Sequence, residues 1–316
     1  MRAVRPLSQS PVSPGIRHPG SDTATLIPGA PGNFRTVDGD NNIGDFLRAR
    51  REQVRPEDVG LPDYGRRRVP GLRREELATL AGVSADYYVR LEQGRERHPS
   101  EQVIEALARA LQLDREATAY FHDLARPEPR RRRAARRTER VRPQLKRLME
   151  AWPQTPAVIL GRHMDVLASN SLATALHGGW ESSNNMVRLV FLDPEARERY
   201  PDWEEVASNT VAVLRGMVGP DLDDPRLTEL IGELSLKSGD FRRLWARHDV
   251  SEKTHGRKRF VHPMVGELDL SFESFTVAGA VEQMLVVYIA EPGSASEQAL
   301  ALLASIVAGA TAGSTP

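Results

Sequence analysis

The apolar positions between Leu72 and Gly94 predict two short helices joined by a tight turn. Gly82 lies where the first helix would end, in the left-handed conformation that glycine adopts most easily. Ser84 would then cap the second helix by accepting a hydrogen bond from a free backbone N–H. A small residue, Ala78, where the helices would cross permits the close approach of a helix-turn-helix. The inward-facing positions at helical spacing are Leu77, Ala78, Ala81, Tyr88 and Leu91.

Three further helices and one insertion are predicted around this hairpin. The first helix begins near Ile43 and ends at Pro56. The insertion that follows, residues 55–71, is predicted to be a loop because prolines and glycines interrupt it. A fourth helix is capped by Ser100 and a fifth begins at Arg115, and each has an apolar stripe. The N-terminal part of the chain is therefore predicted to be all-α.

From Pro143 the pattern changes to a mixture of short strands and helices. The predicted strands are 157–160, 164–168, 257–265, 266–277 and 284–289. The predicted helices are 144–152, 171–178, 186–191, 196–217, 225–245 and 295–307. This order indicates an α+β sheet covered by helices on one face. The predicted fold class is thus multi-domain, with an all-α helix-turn-helix domain followed by an α+β domain.

The second helix of the hairpin presents an outer face that could read DNA. A helix in the major groove contacts base edges with the residues near its N-terminus. The predicted base-reading residues are Ser84, Ala85, Asp86, Tyr87 and Arg90. The predicted phosphate contacts are Arg66, Arg67, Arg68, Arg73, Arg74, Arg95 and Arg97. Two alternatives remain open: a packed helical hairpin without a ligand, and a solvated loop at the arginines of the insertion.

The length of the chain suggests two domains, and its balanced charge does not point to a particular class of partner. The 316 residues include 43 Lys and Arg and 43 Asp and Glu, with arginine concentrated in the first half. The chain has no cysteine, which excludes disulfides and thiolate metal sites. No apolar run is long enough for a membrane span, and no signal peptide is recognisable at the N-terminus. The predicted boundaries are a disordered segment 1–40, a DNA-binding domain 41–126, an Arg-rich linker 127–142, a second domain 143–308 and a tail 309–316.

The string ELATLAGVSADYYVRLEQG closely resembles the core of the lambda-repressor-like, or XRE-type, helix-turn-helix family. The matching features are Leu77-Ala78, Ala81-Gly82-Val83-Ser84 and Leu91-Glu92-Gln93-Gly94. Tyr88 departs from the family, which usually has Ile or Val at this position. The change keeps an apolar body and adds a hydroxyl at the edge of the core. The resemblance implies five helices, with the second and third forming the hairpin, and a double-stranded DNA operator as the partner.

The second half resembles the ligand-binding domain of the MmyB-like branch of XRE-type regulators, which has a PAS-like sheet. The matching segments are 156–160 with 165–170, Asn185-Met186, 240–245 with 248–250, and 258–263 followed by 265–268. The resemblance implies a cytoplasmic, nucleoid-associated transcription regulator whose second domain binds a fatty-acid-like ligand. Together the two resemblances cover residues 43–307.

A helix-covered sheet of this kind commonly leaves an apolar pocket. The predicted pocket residues are Leu160, Arg162, Val166, Arg259, Phe260, His262, Phe272, Phe275 and Leu285. The predicted effector is small and lipophilic with an acidic head group, which Arg162, Arg259 or His262 could neutralise. The alternatives are a solid core that serves only dimerisation and a DNA-binding protein without ligand control.

An enzyme is the remaining alternative, and the motifs give it little support. The chain has no HExxH, GxSxG, Walker or GxGxxG motif, and we predict neither a cofactor nor a metal. His248 and His262 are predicted to be structural hydrogen-bonding groups. We also predict a homodimer, because one recognition helix reads too few base pairs to select a genomic site.

Overall fold

The computed structural model describes residues 42–62, 71–126, 139–179, 183–219, 224–251 and 254–312. The predicted segment 1–40 and most of the Arg-rich linker lie outside the described residues. Within the described part of the chain, no helix is both long and apolar enough to cross a membrane.

The N-terminal part is a bundle of five helices with the hairpin in the predicted place. The helices are α1 Asn42–Gln53, α2 Arg74–Ala81, α3 Ala85–Glu92, α4 Glu101–Ala110 and α5 Arg115–Ala125. A one-turn 3₁₀ helix, Pro56–Val59, occupies the start of the insertion that was predicted to be a loop throughout. Phe46, Leu77, Tyr88 and Phe121 are fully buried in the shared core.

The C-terminal part is built on one five-stranded sheet. Its strands are β1 Ala157–Leu160, β2 Val166–Ser169, β3 His255–His262, β4 Gly266–Val277 and β5 Ala280–Ala290. The spatial order is β2-β1-β5-β4-β3, and every neighbouring pair is antiparallel. The prediction that β2 begins at Met164 is wrong, because Met164 has a positive φ of 61° and belongs to the turn.

Eight helices of the described residues accompany the sheet. They are α6 Pro143–Glu150, α7 Ser171–Leu176, α8 Met186–Leu192, α9 Ala196–Arg199, α10 Trp203–Val218, α11 Pro225–Lys237, α12 Gly239–Trp245 and α13 Ala295–Ala312.

Two stretches that were predicted as single helices are each divided. The stretch 196–217 breaks before Pro201, and Tyr200 there has an extended backbone. The stretch 225–245 breaks at Ser238, whose backbone is extended and whose Oγ accepts a hydrogen bond from Phe241 N at 3.2 Å. Ser238 therefore ends α11 and caps α12.

Helices cover both faces of the sheet, which corrects the prediction of one covered face. The larger core lies between the sheet and α7, α8, α10 and α13, and includes Phe260, Leu270 and Tyr288. A smaller core on the opposite face joins Met149 of α6 to Ile159. Successive residues of a strand point to opposite faces, so apolar residues at adjacent positions of β1 and β5 supply both cores.

Helix α10 approaches the chain after α12 so closely that one of its positions has no room for a side chain. A Cβ atom on Gly216 would lie 2.6 Å from the carbonyl oxygen of Ser251. The backbone N–H of Ser251 in turn donates to the carbonyl oxygen of Ala212 at 3.1 Å. Gly232, in the exposed part of α11, has no such neighbour within 4 Å.

We therefore expect alanine to have opposite effects at these two helical glycines. Gly216→Ala should lower the free energy of unfolding by about 1–3 kcal/mol, because the new methyl group overlaps a backbone oxygen. Gly232→Ala should raise it by about 0.5–1 kcal/mol, because alanine loses less backbone entropy in a helix. Urea unfolding of both variants measures this difference, and a shift of the same sign in both would contradict the close approach.

Candidate DNA interface and ligand cleft

The turn between α2 and α3 has the geometry that the sequence predicts. Gly82 adopts a left-handed conformation with φ of 67°, and Val83 N donates to the carbonyl oxygen of Ala78 at 3.0 Å. The Oγ of Ser84 accepts a hydrogen bond from Tyr87 N at 3.2 Å and so caps α3. These contacts satisfy backbone groups at both ends of the turn and fix the direction of α3.

Of the five predicted base-reading residues, Ser84, Asp86 and Arg90 are exposed, whereas Ala85 and Tyr87 pack partly against the core. The guanidinium carbon of Arg90 lies 5.7 Å from the centre of the Tyr87 ring. This places a planar hydrogen-bond donor and an acidic acceptor on one surface, a combination that can discriminate base pairs.

The predicted phosphate contacts have different environments. Arg73, Arg95 and Arg97 are exposed near the two ends of the hairpin, and Arg97 donates to the carbonyl oxygen of Gly94 at 3.1 Å. Arg74 instead donates a hydrogen bond to the buried carboxylate of Glu92. The predicted contacts at Arg66, Arg67 and Arg68 lie outside the described residues.

A buried carboxylate, Glu92 at the end of α3, joins the first three helices. It accepts hydrogen bonds from Arg51 Nε and Arg74 Nε, each at 2.6 Å, and from the Tyr88 hydroxyl at 2.9 Å. Arg51 also donates to the carbonyl oxygen of Leu72 at 2.8 Å. Burial alone would raise the pKa of Glu92, but the hydrogen bonds from the two arginines outweigh it and hold the pKa below its ordinary value.

The sequence predicted Arg74 as a phosphate contact and gave no role to Arg51 or Glu92. The hydroxyl of Tyr88, predicted at the edge of the core, is buried and hydrogen-bonded inside it. Tyrosine at this position, in place of the usual Ile or Val, therefore supplies a hydrogen-bond donor to the carboxylate of Glu92. The signal was available, since a tyrosine and a glutamate four residues apart share one side of a helix.

We expect the removal of the Glu92 charge to destabilise the DNA-binding part strongly. Glu92→Gln should lower the free energy of unfolding by roughly 3–5 kcal/mol, because Arg51 stays buried without its counter-charge. The matched variant Glu105→Gln, on an exposed pair with His122, should change it by less than about 0.5 kcal/mol.

Thermal unfolding followed by circular dichroism measures both variants. Because the folded-state pKa of Glu92 is lowered, its contribution should be full above pH 4.5 and decline as the pH falls below that value. Equal losses in the two variants would contradict a structural role for the buried carboxylate.

A cleft with about 100 Å³ of free space, partly open to solvent, lies between α10 and the sheet. Apolar side chains form most of its wall, and the cations Arg257, Lys258 and Arg259 lie along β3 at one side. The acids Asp202 and Glu205 lie across from them at the start of α10. The apolar lining consists of Leu160, Met164, Met186, Val206, Val213, Phe272, Met284, Val286 and Tyr288.

Only part of the predicted pocket set meets at this cleft. Leu160, Arg259 and Phe272 line it. Val166 and Phe260 pack within the same core without lining the cleft. The remaining residues lie elsewhere: Arg162, His262, Phe275 and Leu285.

These four residues have other neighbours. Arg162 donates to the carbonyl oxygen of Val218 at 2.9 Å. His262 makes a contact of 3.1 Å with the carbonyl oxygen of Ala175, consistent with its predicted structural role. Leu285 belongs to the small core under α6, and its pairing partner Phe275 is about half exposed on the same face of the sheet.

Sequence reasoning missed the contribution of α10 to the cleft. Asn209, Thr210 and Val213 lie one helical turn or less apart and face the sheet with Val206. Their signal was weak, because a polar pair inside an amphipathic helix is also typical of a solvated face.

Each of the three cations at the cleft has a partner within the protein, and the partner of Arg257 is Asp269 at 2.6 Å. Arg259 donates to both carboxylate oxygens of Asp202, at 2.5 and 2.6 Å, which holds the pKa of Asp202 below its usual value. The Lys258 ammonium lies 4.7 Å from the centre of the Tyr200 ring. Among the described residues no group of histidine and acidic side chains is arranged to hold a metal ion.

A helix-turn-helix with an exposed second helix, followed by a sheet domain with an apolar cleft, is the architecture of a DNA-binding protein with a separate second domain. Family models support this architecture: a helix-turn-helix domain matches residues 42–121, and the MmyB-like transcription regulator ligand binding domain matches residues 141–303. The protein is thus a DNA-binding transcription regulator. Since the second match spans more than half of the chain, the chain belongs to the MmyB-like transcription regulators. A search of curated proteins found no significant match.

Proposed function

We propose that this regulator is an XRE-type protein that binds operator DNA in the cytoplasm as a homodimer. We also propose that its second, PAS-like domain binds a small lipophilic effector with an acidic head group. The five-stranded antiparallel sheet with an apolar cleft supports the PAS-like assignment and the effector. The exposed face of α3 supports the docking on DNA. The role is regulation rather than catalysis, in keeping with the family.

For DNA recognition, the arrangement of α3 favours entry into the major groove with its N-terminal turn first. Arg90 can donate two hydrogen bonds to a guanine, and Asp86 can accept one from a cytosine amine. Ser84 and Ala85 are small enough to allow close approach, and Tyr87 can contact a thymine methyl group. Arg95 and Arg97, which follow α3 and are exposed, are the proposed phosphate contacts.

We expect Arg90→Ala and Arg95→Ala to separate base reading from phosphate binding. Arg90→Ala should cost about 1–3 kcal/mol on the preferred operator and relax the preference at one position. Arg95→Ala should weaken binding to all DNA sequences alike. It should also make the slope of log affinity against log salt concentration shallower by about one unit, the share of one phosphate contact. Fluorescence anisotropy on matched and mismatched duplexes measures both effects. If Arg90→Ala discriminates between matched and mismatched duplexes as well as the unmodified protein does, the proposed docking of α3 in the major groove is wrong.

The proposed homodimer rests on the short reach of a single recognition helix. Eight residues form α3, which can contact only a few base pairs. Two such helices on a two-fold axis would read half-sites about one helical turn apart. The second domain is the proposed dimer contact.

We expect footprinting on a selected operator to show two half-sites with inverted symmetry. Analytical ultracentrifugation of the complex should give two chains per duplex, since each chain would occupy one half-site. A single protected half-site with one bound chain would rule out the dimer.

The effector proposal rests on the combination of an apolar wall with cations along β3. An acidic head group could replace Asp202 as the partner of Arg259, while an apolar tail lies against Phe272 and Met284. This exchange of one carboxylate for another favours a fatty-acid-like molecule over a neutral one. Ligand binding would then alter the operator affinity through its different affinities for two states of the protein.

We expect native mass spectrometry of the full chain to retain a bound saturated fatty acid from a series of increasing length. Arg259→Ala should weaken this binding about tenfold, because a charge-assisted hydrogen bond is lost. Asp202→Asn should strengthen it, because a competing carboxylate is removed. Arg243→Ala, which removes an exposed partner of Asp240 in α12, serves as the control and should change nothing. If the chain binds no fatty acid of the series, the proposal of a fatty-acid-like effector is wrong.

A further inference from the structure

Helix α10 has one face in the cleft and another against the junction with the DNA-binding part. Val206, Asn209 and Val213 line the cleft. Arg215, on a different side of the same helix, is 1 % exposed and lies where the two parts of the chain meet. Any molecule in the cleft would therefore contact the helix that carries Arg215.

The Arg215 guanidinium is bound to the chain that follows α12. It donates to the carbonyl oxygen of Trp245 at 2.5 Å and contacts His248 Nδ1 at 3.3 Å, and it stacks 3.9 Å from the centre of the Trp245 ring. Burial, together with the charges of Arg215 and Arg50, holds the pKa of His248 well below its usual value. The neutral imidazole can therefore accept the hydrogen bond from Arg215. From the DNA-binding part, the hydroxyl of Tyr120 in α5 interacts with the same guanidinium.

The segment Ala246–Ser251, here called the tether, continues from this point into the DNA-binding part. The carbonyl oxygen of Arg247 accepts a hydrogen bond from Gln53 Nε2 at 2.5 Å. The carboxylate of Asp249 pairs with Arg50 at 2.8 Å. Val250 is buried within the hydrophobic core of the DNA-binding part. Ser251 then returns to α10 through its hydrogen bond to Ala212.

We propose that the tether, held by Arg215 on one side and by α1 on the other, transmits the occupancy of the cleft to the DNA-binding part. This inference rests on the proposed ligand control and names the route by which it acts. A ligand that displaces α10 moves Arg215 and the contact with Ser251 together. Because protein interiors are close-packed, the tether has to change its contacts with α1 in response.

The aromatic residues beside α10 extend the same connection. Trp245 stacks on Phe241 with ring centres 5.8 Å apart, and Phe241 meets Phe191 edge-on at 5.3 Å. Phe191 contacts Trp203, the first residue of α10, at 5.8 Å. Trp203 follows Asp202, which lies at the cleft beside Arg259. Both ends of α10 are thus linked to Trp245 through packed side chains.

The test uses the full chain and a substitution that fills the cleft without an added ligand. Ser274 of β4 lines the cleft, so Ser274→Trp places an indole ring in it. The affinity for an operator selected from random DNA is measured in the natural background and in two junction backgrounds, Arg215→Met and the double variant Asp249→Asn with Gln53→Ala. The matched control background is Asp240→Asn, which removes exposed ion pairs on α12 away from the tether.

We expect Ser274→Trp to change the operator Kd at least fivefold in the natural and Asp240→Asn backgrounds. In both junction backgrounds the change should fall below twofold, although each variant still binds the operator. Hydrogen exchange of the tether amides should respond to Ser274→Trp in the natural background. If Arg215→Met does not fold, the double variant alone decides, because it alters only the half-buried Asp249 and the exposed Gln53 and keeps the buried guanidinium of Arg215.

A fivefold change that persists in the junction backgrounds would overturn the tether as the route and leave ligand control intact. If neither Ser274→Trp nor any fatty acid of the series changes the operator Kd, ligand control is refuted, and the tether proposal with it. Loss of operator binding by the unmodified chain would refute the proposed DNA docking. The three results are distinct measurements, so failure of the tether alone can be told apart from failure of ligand control or of DNA docking.

Discussion

The buried carboxylate of Glu92 sets the geometry of the surface that is proposed to read DNA. Placing a charge in a protein core is expensive unless its hydrogen-bonding capacity is filled. Here the partners come from α1, α2 and α3 itself, so the three helices have to keep one relative arrangement to hold the charge. Apolar packing alone would tolerate small rotations of α3. The directional hydrogen bonds limit them, and a recognition helix has to meet base edges with that precision.

Local signals in the sequence predicted the helix-turn-helix well, because its geometry depends on neighbours along the chain. The left-handed Gly82 and the cap at Ser84 act within a few residues, and both are observed as predicted. The same holds for the class of the second half, whose alternating strands predicted a sheet. The family comparison then confirmed a helix-turn-helix domain and an MmyB-like ligand binding domain.

The cleft could not be predicted with the same accuracy, because its walls depend on which face each strand turns inward. In β4, Phe272 points toward the cleft and Phe275 to the opposite face, although both are aromatic residues of one strand. Because the sheet also has an apolar face under α6, its strands do not show the alternation of polar and apolar residues that would identify the inward face. Arg215 was missed for a related reason: an arginine in an amphipathic helix normally indicates a solvated position.

The burial of Val250 in the core of the DNA-binding part has a consequence for the architecture. The boundary between the two parts in the sequence, near the Arg-rich linker, is not the boundary between their cores. A residue more than a hundred positions beyond that linker completes the packing of the first five helices. The two parts are therefore not interchangeable modules. Transfer of this DNA-binding part to another sensor would leave an unfilled hole in its core unless the new sensor brought an apolar side chain to the same place.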